Sequence, residues 1–193
     1  MRYEEGHKEA TRQHIISVAA KLFRKSGIAA TGLAGIMAEA GLTNGAFYAH
    51  FKSKEDLVRE VLIYSLEIFS TDFWLKVGDD SAKLETAICA YLGPRHRDKP
   101  EQGCPTAALV AEVARESKAT RNAFTESFKE QVNAIVKGLN GKSSQVIRQD
   151  VLAVHGLLVG SLQIARAVTD EKLSNEILQS GIDTALKILH KMS

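Results

Sequence analysis

Residues 40–57 read AGLTNGAFYAHFKSKEDL. An apolar, Ala-rich run ends at Gly41, Leu42 follows, and Thr43 opens a new segment. That segment carries Phe47, Tyr48, His50, Phe51, Lys52 and Lys54, with no acid until Glu55. Helix, Gly, apolar residue, helix is the pattern of a helix-turn-helix. Gly41 relieves the steric cost of the turn, and Leu42 is placed to bury between the two helices. The outer face of the second helix is light: Asn44, Gly45, Ala46 and Ala49. Small side chains let a helix sink into a major groove, where Asn can read base edges. Phe47 and Phe51, four apart, form the inward face. Tyr48, His50 and Lys54 form a rim that can meet phosphates on either side, with Lys54 in the first turn of the next helix. Singly, each has a plainer reading: a half-buried tyrosine, a surface imidazole, a solvated lysine. The turn and the local charge together favour the groove reader.

Working outward, apolar positions 15, 16, 19, 20, 22 and 23 follow helical spacing, and Ser26-Gly27 predicts the stop. Leu33, Ile36, Met37 and Ala40 predict a short second helix with Thr31 as its N-cap. Thr43 is the expected cap of a third helix, from Asn44 to about Phe51. Ser53, with Asp56 three residues on, predicts the start of a long fourth helix. Its apolar face is Leu57, Val58, Val61, Leu62, Phe69 and Phe73. Further helical segments cover roughly 81–92, the stretch after Pro105, 119–138, 144–168 and 171–191. Residues 93–103, GPRHRDKPEQG, read as a loop from their Pro, Gly and charge content. No segment alternates with period 2. The reading is all-α: an N-terminal three-helix helix-turn-helix domain (1–52) joined to a larger helical domain (53–193).

Charge supports this placement. The net charge of the 193-residue chain is only +2. Between Ala10 and Lys54, however, Glu39 is the sole acid against Arg12, Lys21, Arg24, Lys25, Lys52 and Lys54. Positive charge concentrated at one end is the footprint of a nucleic-acid-binding segment, although a solvated basic face looks similar. No run approaches ~18 apolar residues, so a membrane span is not expected. The polar start MRYEEGHKEATRQ lacks the apolar stretch of a secretory signal. Cys89 and Cys104 are the only cysteines, which suits a reducing cytoplasm. Paired carboxylates, a nucleophile-base signature and a phosphate loop are not evident, so an enzyme is not expected. Cys89, His96 and Cys104 lack recognised ligand spacing and a fourth ligand, so neither metal nor cofactor is expected.

TRQHIISVAAKLFRKSGIAATG (11–32), followed by IMAEAGLTNGAFYAHFKSKEDLV (36–58), resembles the DNA-binding domain of the tetracycline-repressor (TetR) family. The resemblance covers about a quarter of the chain. It implies that the helix at 44–51 reads operator DNA. Thr43, Asn44, Gly45 and Ala46 then match positions that approach bases. Tyr48, His50 and Lys54 match phosphate contacts, and Thr31 matches the preceding cap. One departure is Gly32-Leu33-Ala34-Gly35, where the family usually has polar or basic residues. Its two glycines weaken the helix by roughly 1 kcal/mol each relative to Ala. The reading-helix turn is also poor in side chains, which shifts discrimination toward Asn44, backbone approach and DNA shape.

A helix-turn-helix of about 50 residues does not need the rest of the chain to bind DNA. The resemblance implies a homodimer closed by a four-helix bundle, and the residues that fit are Gly156, Gly160, Ile164, Leu178, Ile182 and Leu186. The plainer reading packs these stripes inside the monomer. The resemblance also implies a small-molecule effector, with Trp74, Tyr91, Cys104, Phe128 and His155 as candidate contacts. Together these expectations describe a repressor released from double-stranded operator DNA by its effector. An alternative is a thiol-based redox or electrophile sensor acting through Cys104, which starts a helix near Arg95, Arg97 and Lys99. The competing reading of Cys104 is a buried apolar residue.

Overall fold

The computed structural model describes residues 2–74, 80–139 and 144–192. Among them are ten α-helices and no strand, so the all-α reading holds. They are α1 (Arg2–Ser26), α2 (Leu33–Glu39), α3 (Asn44–Phe47), α4 (Lys54–Phe69), α5 (Ser81–Tyr91), α6 (Pro94–Asp98), α7 (Pro105–Val113), α8 (Lys118–Gly138), α9 (Ser144–Ala167) and α10 (Glu171–Met192). A π-helical turn, Ser70–Trp74, closes α4, and a 3₁₀ turn, Pro100–Gln102, follows α6.

The first core forms because α1 to α4 each present one apolar face. Ile15, Ile16, Ala19, Ala20 and Phe23 of α1 meet Ile36 and Met37 of α2, Phe47 of α3, and Leu57, Val58, Val61 and Leu62 of α4. Complete burial of a side chain such as Phe23 contributes about 1.5–3 kcal/mol. Leu109 and Val113 of α7 belong to the same core, so the second half of the chain helps to close the first. α1 stops where expected. Gly27 has a φ of +86° and donates its N–H to Phe23 O at 2.7 Å. A Cβ there would lie 2.6 Å from Glu112 Oε1 of α7, so a larger residue would also have to displace that carboxylate.

The second core is drawn from α5, α7, α9 and α10, including Ile88, Tyr91, Leu158, Leu162, Leu178 and Ala185. α10 packs along α9. Their close approach depends on Gly181, whose added Cβ would sit 2.7 Å from both Ser161 Oγ and Leu92 Cδ1. Val132, Ile147 and Val151 make a small third cluster beside Phe128.

The structure corrects four local expectations. Thr31 does not cap α2. The N-cap is Gly32, without a side-chain bond, and Thr31 Oγ1 instead donates to Gly27 O. Thr43 is the N-cap of α3 by backbone only. α3 proper ends at Phe47 rather than Phe51. The chain continues as tight turns, with His50 N and Phe51 N both donating to Phe47 O at 3.0 Å. Finally, 93–103 is not a plain loop. Pro94 and Pro100 each start a short helical turn, because proline at the first helical position lacks only a donor that would be unpaired anyway. The Ser53 cap is as expected. Its Oγ accepts from Asp56 N at 3.1 Å, and Asp56 Oδ2 accepts from Lys52 N at 3.1 Å.

Candidate nucleic-acid interface and ligand cavities

The α2–α3 turn is fixed by backbone. Gly41 has a φ of +70°, its N–H donates to Ala38 O, and Leu42 N donates to Met37 O at 2.8 Å. This pair of bonds is the Schellman termination, and it needs the left-handed residue that glycine supplies. Leu42 packs against the first core. α3 leaves the turn with Phe47 buried and stacked on Phe51, centroids 5.5 Å apart. The opposite face is open: Thr43, Asn44 and Gly45 are exposed, Ala46 half-buried. Tyr48 is 71% exposed, unusual for a tyrosine that the core could have taken. A polar, small-residue helix start flanked by an exposed phenol can enter a groove and hydrogen-bond beside it.

The rim is less basic than the sequence suggests. Arg24 turns inward and donates through Nε (3.0 Å) and Nη2 (2.8 Å) to Glu101 O, with Nη1 3.3 Å from Ser65 Oγ. Arg12 pairs with Glu60 at 2.9 Å and lies over the Phe51 ring. Lys54 Nζ donates to Ile28 O at 2.6 Å, which commits one of its three N–H groups. Lys21, Lys25 and Lys52 are the exposed cations of the basic stretch. His50 is half-buried. Its pKa is lowered, first by burial and then by Lys8 and Arg12, so a neutral ring is favoured. Its Nδ1 is buried without a partner. Thr31 is buried and its hydroxyl already donates within the fold, which leaves it a poor DNA contact.

Several bonds tie this unit to the rest of the chain, among them the Arg24 fork to Glu101 O, Ala29 N to Glu112 Oε2 at 2.9 Å, and the Lys54 link from α4 to the turn after α1. None follows from sequence spacing, because the partners are 26 to 83 residues apart.

In the second half, Tyr91 and Cys104 meet but His155 and Phe128 lie elsewhere. His96 organises the first pair. Its Nε2 accepts from Cys104 N at 2.9 Å, so the proton is on Nδ1, which donates to Tyr91 O at 2.7 Å. Burial pushes its pKa down to about 4, which holds the ring neutral. The residue was missed from sequence because 93–103 read as a loop. Cys104 is 1% exposed and burial raises its pKa, against the lowered value a sensor would need; Arg97 instead pairs with Asp98. His155 is 6% exposed. Its Nε2 has no partner, its pKa falls to about 4 through burial, and Phe128 meets it edge-on at 5.0 Å. It borders a narrow cavity of about 30 Å³ whose other walls are aliphatic, among them Leu84, Ile88, Ile135 and Leu158. The Trp74 side chain lies outside the described residues.

The expected dimer residues divide. Leu152, Gly156, Gly160 and Ile164, four apart on α9, share an outward face. Ile164 is 55% exposed, and a Cβ at either glycine meets nothing within 4 Å. Leu178, in contrast, is buried in its own protomer's core, and Ile182 and Leu186 pack against that core. α10 turns these residues toward α9, so Leu178 does not belong to an outer face.

A short helix entering after a glycine turn, on a basic N-terminal unit backed by a helical domain, defines a helix-turn-helix protein of DNA-binding type. Residues 15–61 match the model of the bacterial regulatory proteins of the tetR family. The HTH-type transcriptional regulator AcrR of Shigella flexneri is 49% identical over 53 residues, 28% of this chain and 25% of that protein. The match therefore spans about a quarter of that relative's length. LmrA of Bacillus subtilis, also an HTH-type transcriptional regulator, is 26% identical over 161 residues, 80% of this chain and 86% of that protein. The crystal structure of reduced NemR from E. coli has a TM-score of 0.74 at 20% identity, covering 91% of this chain and 95% of that one. That likeness concerns the fold.

Proposed function

We propose that this chain is a cytoplasmic, homodimeric transcription regulator that binds operator DNA and leaves it when a small molecule occupies the helical domain. The observation that carries the reading is the α2–α3 turn. It presents Thr43, Asn44, Gly45 and Tyr48 outward from a core that holds Phe47 and Phe51 fixed. The family match over the same residues supports it. Asn44 reads a base edge, Ala46 and Gly45 permit close approach, and Tyr48 donates to a phosphate. Lys54 and His50 have fewer donors to offer than their residue types suggest.

Release follows from linkage. An effector that favours a different packing of the helical domain lowers DNA affinity by the same factor that DNA lowers effector affinity. The Arg24–Glu101 and Ala29–Glu112 links are the physical route, since both cross from the reading unit to α7 and the turn before it. The domain division at residues 52 and 53 puts Ser53, the cap of α4, at the joint. His155 and Phe128 are the effector contacts the structure favours, because an unpaired imidazole nitrogen in an aliphatic wall seeks a hydrogen-bonding ligand. Burial of Cys104 disfavours the thiol-sensing alternative. Selection of bound duplexes from a random pool tests the reading: enrichment of a two-fold symmetric sequence supports it, and no enrichment refutes it.

A further inference from the structure

A second cavity lies between α4 and α8. Its volume is about 200 Å³, and of the expected effector residues with described side chains (Tyr91, Cys104, Phe128 and His155) none lines it. Gln131 of α8 borders it and is only 3% exposed. Neither Oε1 nor Nε2 of its carboxamide has a hydrogen-bond partner among the described residues. Each such orphan costs roughly 1–3 kcal/mol, so an apolar residue would serve the fold better. Around it are the hydroxyl-bearing Ser70, Thr71 and Ser127, and the carboxylates of Glu67 and Glu130. Among the described residues no Lys, Arg or His lines the space. Ser70 and Thr71 begin the π-helical turn that closes α4. Such turns are rare and recur at functional sites, because the widened backbone re-aims side chains.

The lining defines its ligand. Gln131 needs one donor and one acceptor from the same molecule, and a hydroxyl or amide supplies both. The two carboxylates favour positive charge. We propose that the α4–α8 cavity binds a small hydroxylated organic cation, of the amino-alcohol or aminosugar type, with Gln131 as its central hydrogen-bonding residue. The site is separate from the His155 cavity and does not depend on the DNA-binding reading, because its readout is ligand binding alone. Since Glu67 and Glu130 are both exposed, charge adds only a few-fold to affinity, and added salt screens that part.

Titration calorimetry of the full-length protein with glucosamine, glucose and glucuronate tests the proposal. Glucosamine is expected to bind a few-fold more tightly than glucose, and glucuronate more weakly than either. Gln131→Leu is expected to weaken glucosamine at least tenfold while raising the Tm of the unliganded protein by about 4 °C or more, because it removes both orphaned amide atoms. Absence of glucosamine binding at millimolar concentration overturns the proposal, as does equal binding of the three sugars. A Gln131→Leu protein with lowered Tm also overturns it, since the amide would then be serving the fold. Glu67→Gln, on the exposed side, keeps the test interpretable if Gln131→Leu fails to fold: it should erase part of the preference for glucosamine over glucose, and an unchanged preference refutes the charge argument.

Discussion

Replacing His155 by Leu should remove much of the protein's sensitivity to acid. The side chain is enclosed by aliphatic residues and the Phe128 ring, its Nε2 has no partner among the described residues, and its pKa falls from 6.5 to about 4. The folded value lies below the unfolded one, so in acid the unfolded chain binds more protons. Stability is therefore lost as the pH falls from the unfolded value toward the folded one. The full window is about 2.5 units, or roughly 3.4 kcal/mol, of which about 2.5 kcal/mol is already lost at ~pH 4.5. His96 titrates over the same window with a similar shift, and its protonation also abolishes the bond from Cys104 N. The two together reach about 5 kcal/mol, comparable with the whole stability of many domains. His155→Leu leaves the His96 half in place. Urea denaturation followed by circular dichroism, at ~pH 7.5 and ~pH 4.5 and at one protein concentration, gives the two stabilities needed. Near neutrality the variant should match or exceed the parent, because an orphaned polar atom is replaced by apolar surface. Between the two pH values it should lose about 2.5 kcal/mol less than the parent. Equal losses in both proteins would refute the claim that His155 is buried and neutral.

Other outcomes follow from particular side chains. Gly160→Leu should leave the protomer folded, because its Cβ points into open space, yet shift sedimentation toward monomer; a fully dimeric variant would remove α9 from the interface. Gly181→Ala should behave in the opposite way, destabilising the protomer by typically 1–3 kcal/mol through overpacking against Ser161 and Leu92 and so lowering Tm, and an unchanged melting curve would contradict the packing. Cys104 should alkylate slowly in the native protein, with Cys104→Ser still binding DNA and responding to effector; rapid alkylation that releases DNA would restore the thiol-sensing alternative.

Helix order was legible because it is written locally. Ile15 through Phe23 keep 3.6-residue spacing, Gly27 and Gly41 mark left-handed stops, and Ser53 with Asp56 marks a start. Where the sequence misled, a distant partner decided the outcome. Arg24 and Lys54 count as basic surface by composition, yet carbonyls of Glu101 and Ile28 claim them. Leu178 lies on an apolar stripe, and only the packing of α10 against α9 shows that the stripe faces inward. Residues 93–103 read as loop because Pro and Gly break long helices, though proline also starts short ones. Gln131 gave no signal at all, since a glutamine on a long polar helix looks solvated until its neighbours are placed.

The central claim is that the exposed start of α3 reads base pairs in a two-fold symmetric duplex. Its most direct test compares the base preferences of the parent, Asn44→Ala and Tyr48→Phe on the duplex selected from a random pool, one substituted base pair at a time. The account predicts dimer binding to half-sites about one helical turn (~34 Å) or a little more apart. Asn44→Ala should flatten the preference at one base pair per half-site, worth about 1–3 kcal/mol, while Tyr48→Phe weakens all duplexes alike. An Asn44→Ala protein with the parent's preferences intact, or a monomer bound to a single asymmetric half-site, would contradict it.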